Sequence, residues 1–107
     1  MKRRSIRDVI RYLFGRRSRY VLSGKSMLPT LKPETYVFVC EQTNPQEGDI
    51  IVAYHPHKPQ LLLIKRLESI SAKGLWIIGD NPQYSTDSRS FGWVPEELFI
   101  GVVCSYW

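Results

Sequence analysis

Short apolar runs, separated by clusters of Pro, Gly and Asn, follow one another along the chain from residue 20 onward. Runs of this length with turn residues between them are typical of β-strands. The breaks at residues 32–34, 44–48 and 55–59 predict turns. The pattern predicts strands over Arg19–Leu22, Tyr36–Cys40, Asp49–Tyr54, Leu61–Ile70, Leu75–Ile78 and Phe99–Tyr106. We therefore expect a mainly β domain, built as a strongly twisted sheet or a partly open barrel.

The first nineteen residues follow a different pattern. Ser5 with Asp8 three residues later suits a helix N-cap, and Gly15 suits a helix end. The apolar residues between them follow the helical repeat: Ile6, Val9, Ile10, Leu13 and Phe14. The segment has a local charge of +7, whereas the remaining chain has a charge of −2. We predict that residues 1–19 form a basic amphipathic helical arm and that residues 20–107 form the folded domain.

The uneven charge narrows the choice of partners. The body of the chain lacks the basic surface of a nucleic-acid binder, and the arm contains no base-reading module. We therefore expect no nucleic acid partner. The apolar stripe of the arm either packs on the domain with its arginines in solvent, or docks on an anionic membrane surface or an acidic protein.

Length and cysteine content bound the class of protein. A chain of 107 residues suits one domain with a modest core. Cys40 and Cys104 lack the spacing of a metal or redox motif, so we interpret them as buried thiols and leave a disulfide between them open. The sequence shows neither a run of about 20 apolar residues nor a secretory signal after its basic start. We expect a cytoplasmic protein, with peripheral attachment to the membrane surface as an alternative.

Two polar residues carry candidate chemistry. Ser26 follows a turn that contains Gly24, and such a turn exposes a hydroxyl beside backbone N–H groups that could form an oxyanion hole. Lys65 ends the apolar run at residues 61–64, and an inward lysine is desolvated, which lowers its pKa until the amine can act as a base. A serine becomes a good nucleophile when an adjacent base takes its proton. Taken singly, each is more often an ordinary turn serine or a strand lysine that reaches water.

The neighbours of these two residues strengthen the hypothesis. Four segments occur in order: Ser23–Thr30, Gly48–Val52, Ile64–Leu67 and Gly79–Arg89. They resemble the successive conserved boxes of type I signal peptidases and their relatives, the S26 serine peptidases. The resemblance extends over most of the chain and implies the signal-peptidase catalytic core that LexA-type proteins share.

The resemblance also implies roles for individual residues. Ser26 is expected to be the nucleophile, with its backbone N–H in the oxyanion hole, and Lys65 to be the general base. Ser85 is expected to orient the lysine amine, and Met27 to lie beside the substrate pocket. Two further residues match a structural ion pair under the site: Asp87 and Arg89.

The chain departs from the pattern of relatives that process exported proteins. It shows neither their membrane anchors nor their insertion before the Gly-Asp-Asn box, since only thirteen residues separate Lys65 from Gly79. Gly24 stands where some relatives carry a serine that helps the oxyanion hole, so a second donor is not identified. Among S26 proteins, a compact core with a basic arm is most similar to the nickel-type superoxide dismutase maturation proteases.

This resemblance implies a serine endopeptidase that removes a propeptide or leader from a precursor, here the nickel superoxide dismutase proprotein, without a metal or organic cofactor. The alternatives are a minimal signal peptidase for exported proteins and a non-catalytic interaction module on the same fold. A self-cleaving repressor is disfavoured, because no DNA-binding domain or Ala-Gly cleavage site precedes Ser26. His55 and His57 are too few for an ordinary metal site, so we interpret them as residues of a solvated loop.

Overall fold

The computed structural model describes residues 9–14, 17–40 and 44–107, and seven strands within these ranges form one antiparallel sheet. The strands are β1 (Val9–Phe14), β2 (Arg17–Leu22), β3 (Tyr36–Cys40), β4 (Ile50–Tyr54), β5 (Leu62–Ser71), β6 (Gly74–Ile78) and β7 (Phe99–Tyr106). Their spatial order is β1-β2-β3-β7-β4-β5-β6. The mainly β class predicted from the apolar runs is confirmed, and each strand predicted from residue 19 onward begins and ends within two residues of its predicted bounds.

Helical structure in the described part of the chain is short. One helix, α1, covers Ser88–Phe91, and 3₁₀ turns cover Pro82–Tyr84 and Glu96–Leu98. No helix among the described residues is long and apolar enough to cross a bilayer.

The helix predicted at the start of the chain is wrong for residues 9–14, which form β1 and pair along their length with β2. This segment is rich in β-branched and aromatic residues, which favour strands, and pairing with β2 satisfies its backbone hydrogen-bonding groups. In so short a segment the spacing of apolar residues fits both the helical repeat and the two-residue repeat of a strand. The remaining residues used for the helix prediction lie outside the described ranges: Ser5, Ile6, Asp8 and Gly15. The domain boundary after residue 19 stays a prediction.

Apolar clusters cover both faces of the central strands. In β4, Ile50 and Val52 belong to one cluster, and Ile51 and Ala53 belong to the other. Successive side chains of a strand point to opposite faces, so a strand buried on both sides needs a continuous apolar run. The run in β5 is of this kind, and it carries Lys65 into the interior.

Cys40 and Cys104 form a disulfide that links β3 to β7, with their Cα atoms 5.8 Å apart. The prediction of two buried thiols is therefore wrong. The two residues are 64 positions apart in sequence, and only the adjacency of β3 and β7 in the sheet brings them within disulfide reach.

Candidate active site

Ser26 lies in the loop that joins β2 to β3. At its start Gly24 has a φ of +87°, a left-handed conformation that glycine adopts without strain. The next residue after the serine, Met27, is fully buried, and Leu31 is buried in the same apolar cluster. Packing of these side chains holds Ser26 against the core, where it is only 8% exposed.

The loop after β6 holds the serine loop from the other side. The backbone N–H of Asn81 donates to the carbonyl oxygen of Ser26 at 2.8 Å. The side-chain amide of Asn81 donates to the carbonyl oxygen of Lys25 at 3.0 Å. These two hydrogen bonds fix the peptide groups on both sides of Ser26.

Asp80 links the same two loops to β5. Its Oδ2 accepts a hydrogen bond from Thr30 Oγ1 at 2.6 Å and lies 2.7 Å from Arg66 Nη2. Burial raises the pKa of Asp80, but hydrogen bonds from Arg66 and Thr30 lower it by more, so the net shift is downward. Because Arg66 directly follows Lys65 in β5, this network positions the serine loop relative to the strand that carries the lysine.

Lys65 is 3% exposed and lies on the face of β5 that also carries Leu63. Its Nζ donates to Ser85 Oγ at 3.4 Å. Ser85 in turn donates its hydroxyl proton to Asp87 Oδ2 at 2.6 Å. A serine hydroxyl has a single proton, so Ser85 can only accept from Lys65. The arrangement therefore directs an N–H of the amine toward Ser85.

Asp87 is buried behind Ser85 and accepts hydrogen bonds from several directions. Gly79 N–H donates to Oδ2 at 2.9 Å, and the Arg89 guanidinium lies 2.6 Å from the same oxygen. The Arg89 backbone N–H donates to Oδ1, which makes Asp87 the N-cap of α1. Burial raises the pKa of Asp87, but the hydrogen bonds from Arg89, Ser85 and Gly79 outweigh it and hold the pKa well below its usual range.

We expect the Asp87→Asn variant to be less stable than the wild type by about 2 to 4 kcal/mol at pH 7, because the amide cannot balance the Arg89 charge or accept every hydrogen bond. A carboxyl whose pKa is lowered by folding stabilises the protein above its unfolded pKa of about 4 and loses that contribution as the pH falls further. The gap in melting temperature between wild type and variant should therefore narrow between about pH 5 and pH 2. Glu97→Gln, at an exposed site, is the matched control, and a gap that widens on acidification would contradict the assignment.

Ser26 and Lys65 open into the same cavity, whose volume is about 260 Å³. Ser85 is one hydrogen bond behind Lys65, and the ion pair of Asp87 and Arg89 is directly behind Ser85. Met27 is in the core and is not among the residues that line the cavity, so its place beside the substrate stays a prediction. The lining residues are Ser23, Gly24, Lys25, Ser26, His55, Lys58, Leu61, Leu63, Lys65, Tyr84 and Thr86.

Several residues of the site had no role predicted from the sequence. Thr30, Asp80 and Arg66 lie inside the segments that resemble the family, but no sequence pattern indicates that they bind one another. His55 is buried, so the prediction of a solvated loop is wrong for this residue. Its Nδ1 accepts hydrogen bonds from the backbone N–H groups of His57 and Lys58 at 2.9 and 3.1 Å. Within the described ranges, no group of three or more His, Cys, Asp or Glu side chains is placed to hold a metal ion.

Comparison with known proteins gives a family match and several relatives. The family described as Peptidase S24-like matches residues 17–103. Mitochondrial inner membrane protease subunit 1 of Xenopus tropicalis is 37% identical, in an alignment that covers 78% of this chain and 65% of the relative. The Homo sapiens subunit 1 is 30% identical, over 74% of this chain and 62% of the relative. Subunit 1a of the mitochondrial ATP-independent inner membrane protease of Arabidopsis thaliana is also 30% identical, over 73% and 62%. The chain thus spans slightly less than two thirds of the length of these relatives.

The relatives correct one prediction from the sequence. Three of them, from a frog, a human and a plant, are named as proteases of the mitochondrial inner membrane. These names contradict the predicted cytoplasmic localisation. The prediction rested on the lack of a run of about 20 apolar residues in this sequence. A protein can also associate with a membrane by binding to its surface or to a membrane protein, and the lack of such a run does not bear on those contacts.

Proposed function

This chain belongs to the Peptidase S24-like family, and from that premise we propose that it is a serine endopeptidase in which Ser26 and Lys65 form a catalytic dyad. The observation that carries the proposal is the series of hydrogen-bonded side chains behind the cavity, from Lys65 through Ser85 to Asp87. Lys65 is buried, donates a hydrogen bond to Ser85, and lines the same cavity as Ser26. A buried ammonium is costly, which favours the neutral amine that a general base requires.

In the proposed mechanism an extended segment of substrate lies along the cavity beside the loop that carries Ser26. The neutral amine of Lys65 accepts the hydroxyl proton of Ser26 as Ser26 Oγ attacks the scissile carbonyl carbon. The backbone N–H of Ser26 binds the resulting oxyanion. The Lys65 ammonium then protonates the leaving amine, which releases the C-terminal product and leaves an acyl-enzyme. Lys65 next takes a proton from water as the oxygen of that water attacks the ester carbon. When the C–O bond to Ser26 breaks, the Lys65 ammonium returns a proton to Ser26 Oγ, which releases the N-terminal product as a carboxylic acid and restores both Ser26 and the neutral amine.

The proposed substrate class rests on two observations. The relatives are named as subunits of inner membrane proteases, and segments of this chain resemble those of signal peptidases. We therefore propose that this chain removes an N-terminal leader from precursor proteins and acts in association with a membrane. The disulfide between Cys40 and Cys104 supports a location on an oxidising side of that membrane, since cytosolic thiols are kept reduced. The narrower expectation, maturation of nickel superoxide dismutase, has no support among the relatives compared and stays a prediction.

The proposed substrate class is tested by incubating the purified chain with two precursors and mapping new N-termini by mass spectrometry. One precursor carries a leader for the mitochondrial inner membrane, and the other is the nickel superoxide dismutase proprotein. We expect the first to be cut at one site by the wild type and left intact by Ser26→Ala. Cleavage of the second alone would support the narrower expectation instead, and no cleavage of either would favour a non-catalytic module.

Ser85→Ala should lower kcat by roughly 10- to 1000-fold with little change in KM, because it removes the hydrogen bond that orients the Lys65 amine. Ser85→Thr keeps the hydroxyl and should restore part of the rate. Ser105→Ala is the matched control, since this serine is exposed on β7. Steady-state kinetics on a cleaved peptide give both constants, and an effect confined to KM would assign Ser85 to substrate binding instead.

A further inference from the structure

The cavity that contains the dyad has an uneven distribution of charge. Four of the residues that line the cavity have basic side chains, and no lining residue is Asp or Glu. No acidic side chain among the described residues forms an ion pair with Lys58. The basic lining residues are Lys25, His55, Lys58 and Lys65. Lys65 is neutral when it acts as a base, so the exposed Lys25 and Lys58 supply the positive charge of the groove. These two charges favour a substrate that carries negative charge.

The basic residues occupy different depths of the cavity. Lys65 is at the catalytic end. Leu63 and Leu61, two and four residues before it in the sequence, line the cavity on the same face of the chain. Leu61 is therefore about 13 Å from Lys65, at about 3.3 Å per residue of extended chain. The N–H of His55 donates to the Leu61 carbonyl oxygen at 2.8 Å, which places His55 and the following Lys58 at this far end. An extended peptide covers the same distance with about four residues.

The far end offers two kinds of donor. Burial lowers the pKa of His55, and the nearby Lys58 and His57 lower it further, so the ring is neutral at neutral pH. Since Nδ1 accepts two backbone N–H groups, the ring proton is on Nε2, which is a hydrogen-bond donor. Lys58 is exposed at the rim and supplies a positive charge on a flexible stem.

We propose that His55 and Lys58 form a subsite that selects a substrate carboxylate, an Asp or Glu side chain about four residues from the scissile bond. The inference rests on the proposed peptidase function and adds a specificity to it. The pair of donors suits a carboxylate, because a neutral ring N–H and an ammonium can each bind one oxygen. Leu63, between this subsite and Lys65, and Leu61, beside the subsite, accommodate apolar side chains of the intervening residues.

The test is a cleavage profile on a peptide library made by digesting a whole proteome. The full chain is incubated with the library, and mass spectrometry gives the residues at six positions on each side of every cut. Cuts that also occur with Ser26→Ala are removed as background. The wild type should show Asp and Glu enriched about 2- to 5-fold at one position three to five residues from the cut, the scale of a solvent-accessible ion pair.

Two variants decide whether Lys58 is responsible. Lys58→Gln should remove the enrichment, and Lys58→Glu should replace it by enrichment of Lys and Arg at the same position. Lys73→Glu makes the same charge change on the exposed turn between β5 and β6, and should keep the wild-type profile. A flat wild-type profile, or an enrichment that survives in Lys58→Glu, would overturn the proposed subsite while the Ser26-dependent cuts still support a peptidase. A library left uncut by the wild type would overturn both.

Discussion

Ser26→Ala and Lys65→Met are each expected to lower kcat for peptide cleavage by roughly 10⁴- to 10⁶-fold, because each removes one half of a single proton-transfer unit. Combining them should cost little more than either alone, since residues that act as a unit have non-additive effects. Lys65→Arg should fail as well, because a guanidinium stays protonated and cannot accept the serine proton. Single-turnover rates with a mapped peptide measure the losses.

The controls for this prediction separate chemistry from folding. Lys73→Met makes the same replacement at an exposed lysine, and Ser105→Ala does so at an exposed serine. Both should keep wild-type rates. The Lys65→Met variant should also keep or gain thermal stability, because a buried polar amine is replaced by an apolar side chain of similar length. Near-normal cleavage by either dyad variant would refute the proposed mechanism.

Gly79→Ala is expected to lower activity by about 100-fold or more, because the geometry of the dyad allows no side chain at this position. A Cβ added at Gly79 would meet Ser85 Oγ, would lie 2.6 Å from Ser85 Cβ, and would lie 2.7 Å from the Ser26 carbonyl oxygen. Two of these atoms belong to the side chain that orients Lys65, and the third belongs to the backbone of the nucleophile. One methyl group would thus push both halves of the site apart.

Gly92→Ala is the matched control for this substitution. A Cβ there meets no atom within 4 Å, although the φ of +84° would strain an alanine at this position. Gly92→Ala should therefore lower the melting temperature without lowering kcat of the folded enzyme. In a Ser85→Gly background, Gly79→Ala should cost less stability than in the wild type, because part of the clash is gone. Wild-type kinetics in the Gly79→Ala enzyme would contradict the prediction, because they would show that the site has room for a methyl group at this position.

The strands could be predicted from the sequence because β-strand signals are local. The run from Leu61 to Ile64 is too short for a typical helix, is bounded by turn residues, and is apolar at every position, which indicates burial on both faces. The same run left open whether the side chain of Lys65 points inward or reaches water, and the structure shows that it is buried. Its role as a general base, like that of Ser26 as nucleophile, comes from the resemblance of the surrounding segments and stays a prediction.

Other features were decided by contacts between distant parts of the chain. Residues 9–14 carry apolar spacing that fits a helix, yet they form β1, because the neighbouring strand β2 offers hydrogen-bond partners along their length. Cys40 and Cys104 pair because β3 and β7 are adjacent, a fact that no sequence spacing encodes. Local propensity in such segments is weak, and a tertiary partner outweighs it.

By itself, the sequence determined which segments from residue 19 onward are strands and which residues are candidates for the chemistry. Only the tertiary structure decided which of those candidates meet. It placed Ser85 between Lys65 and Asp87, bound Asp80 to Thr30, and buried His55 at the far end of the cavity. The physical reason is that apolar periodicity reports the burial of each residue separately, whereas a hydrogen bond depends on the distance and direction between two groups, which the packing of the whole sheet sets.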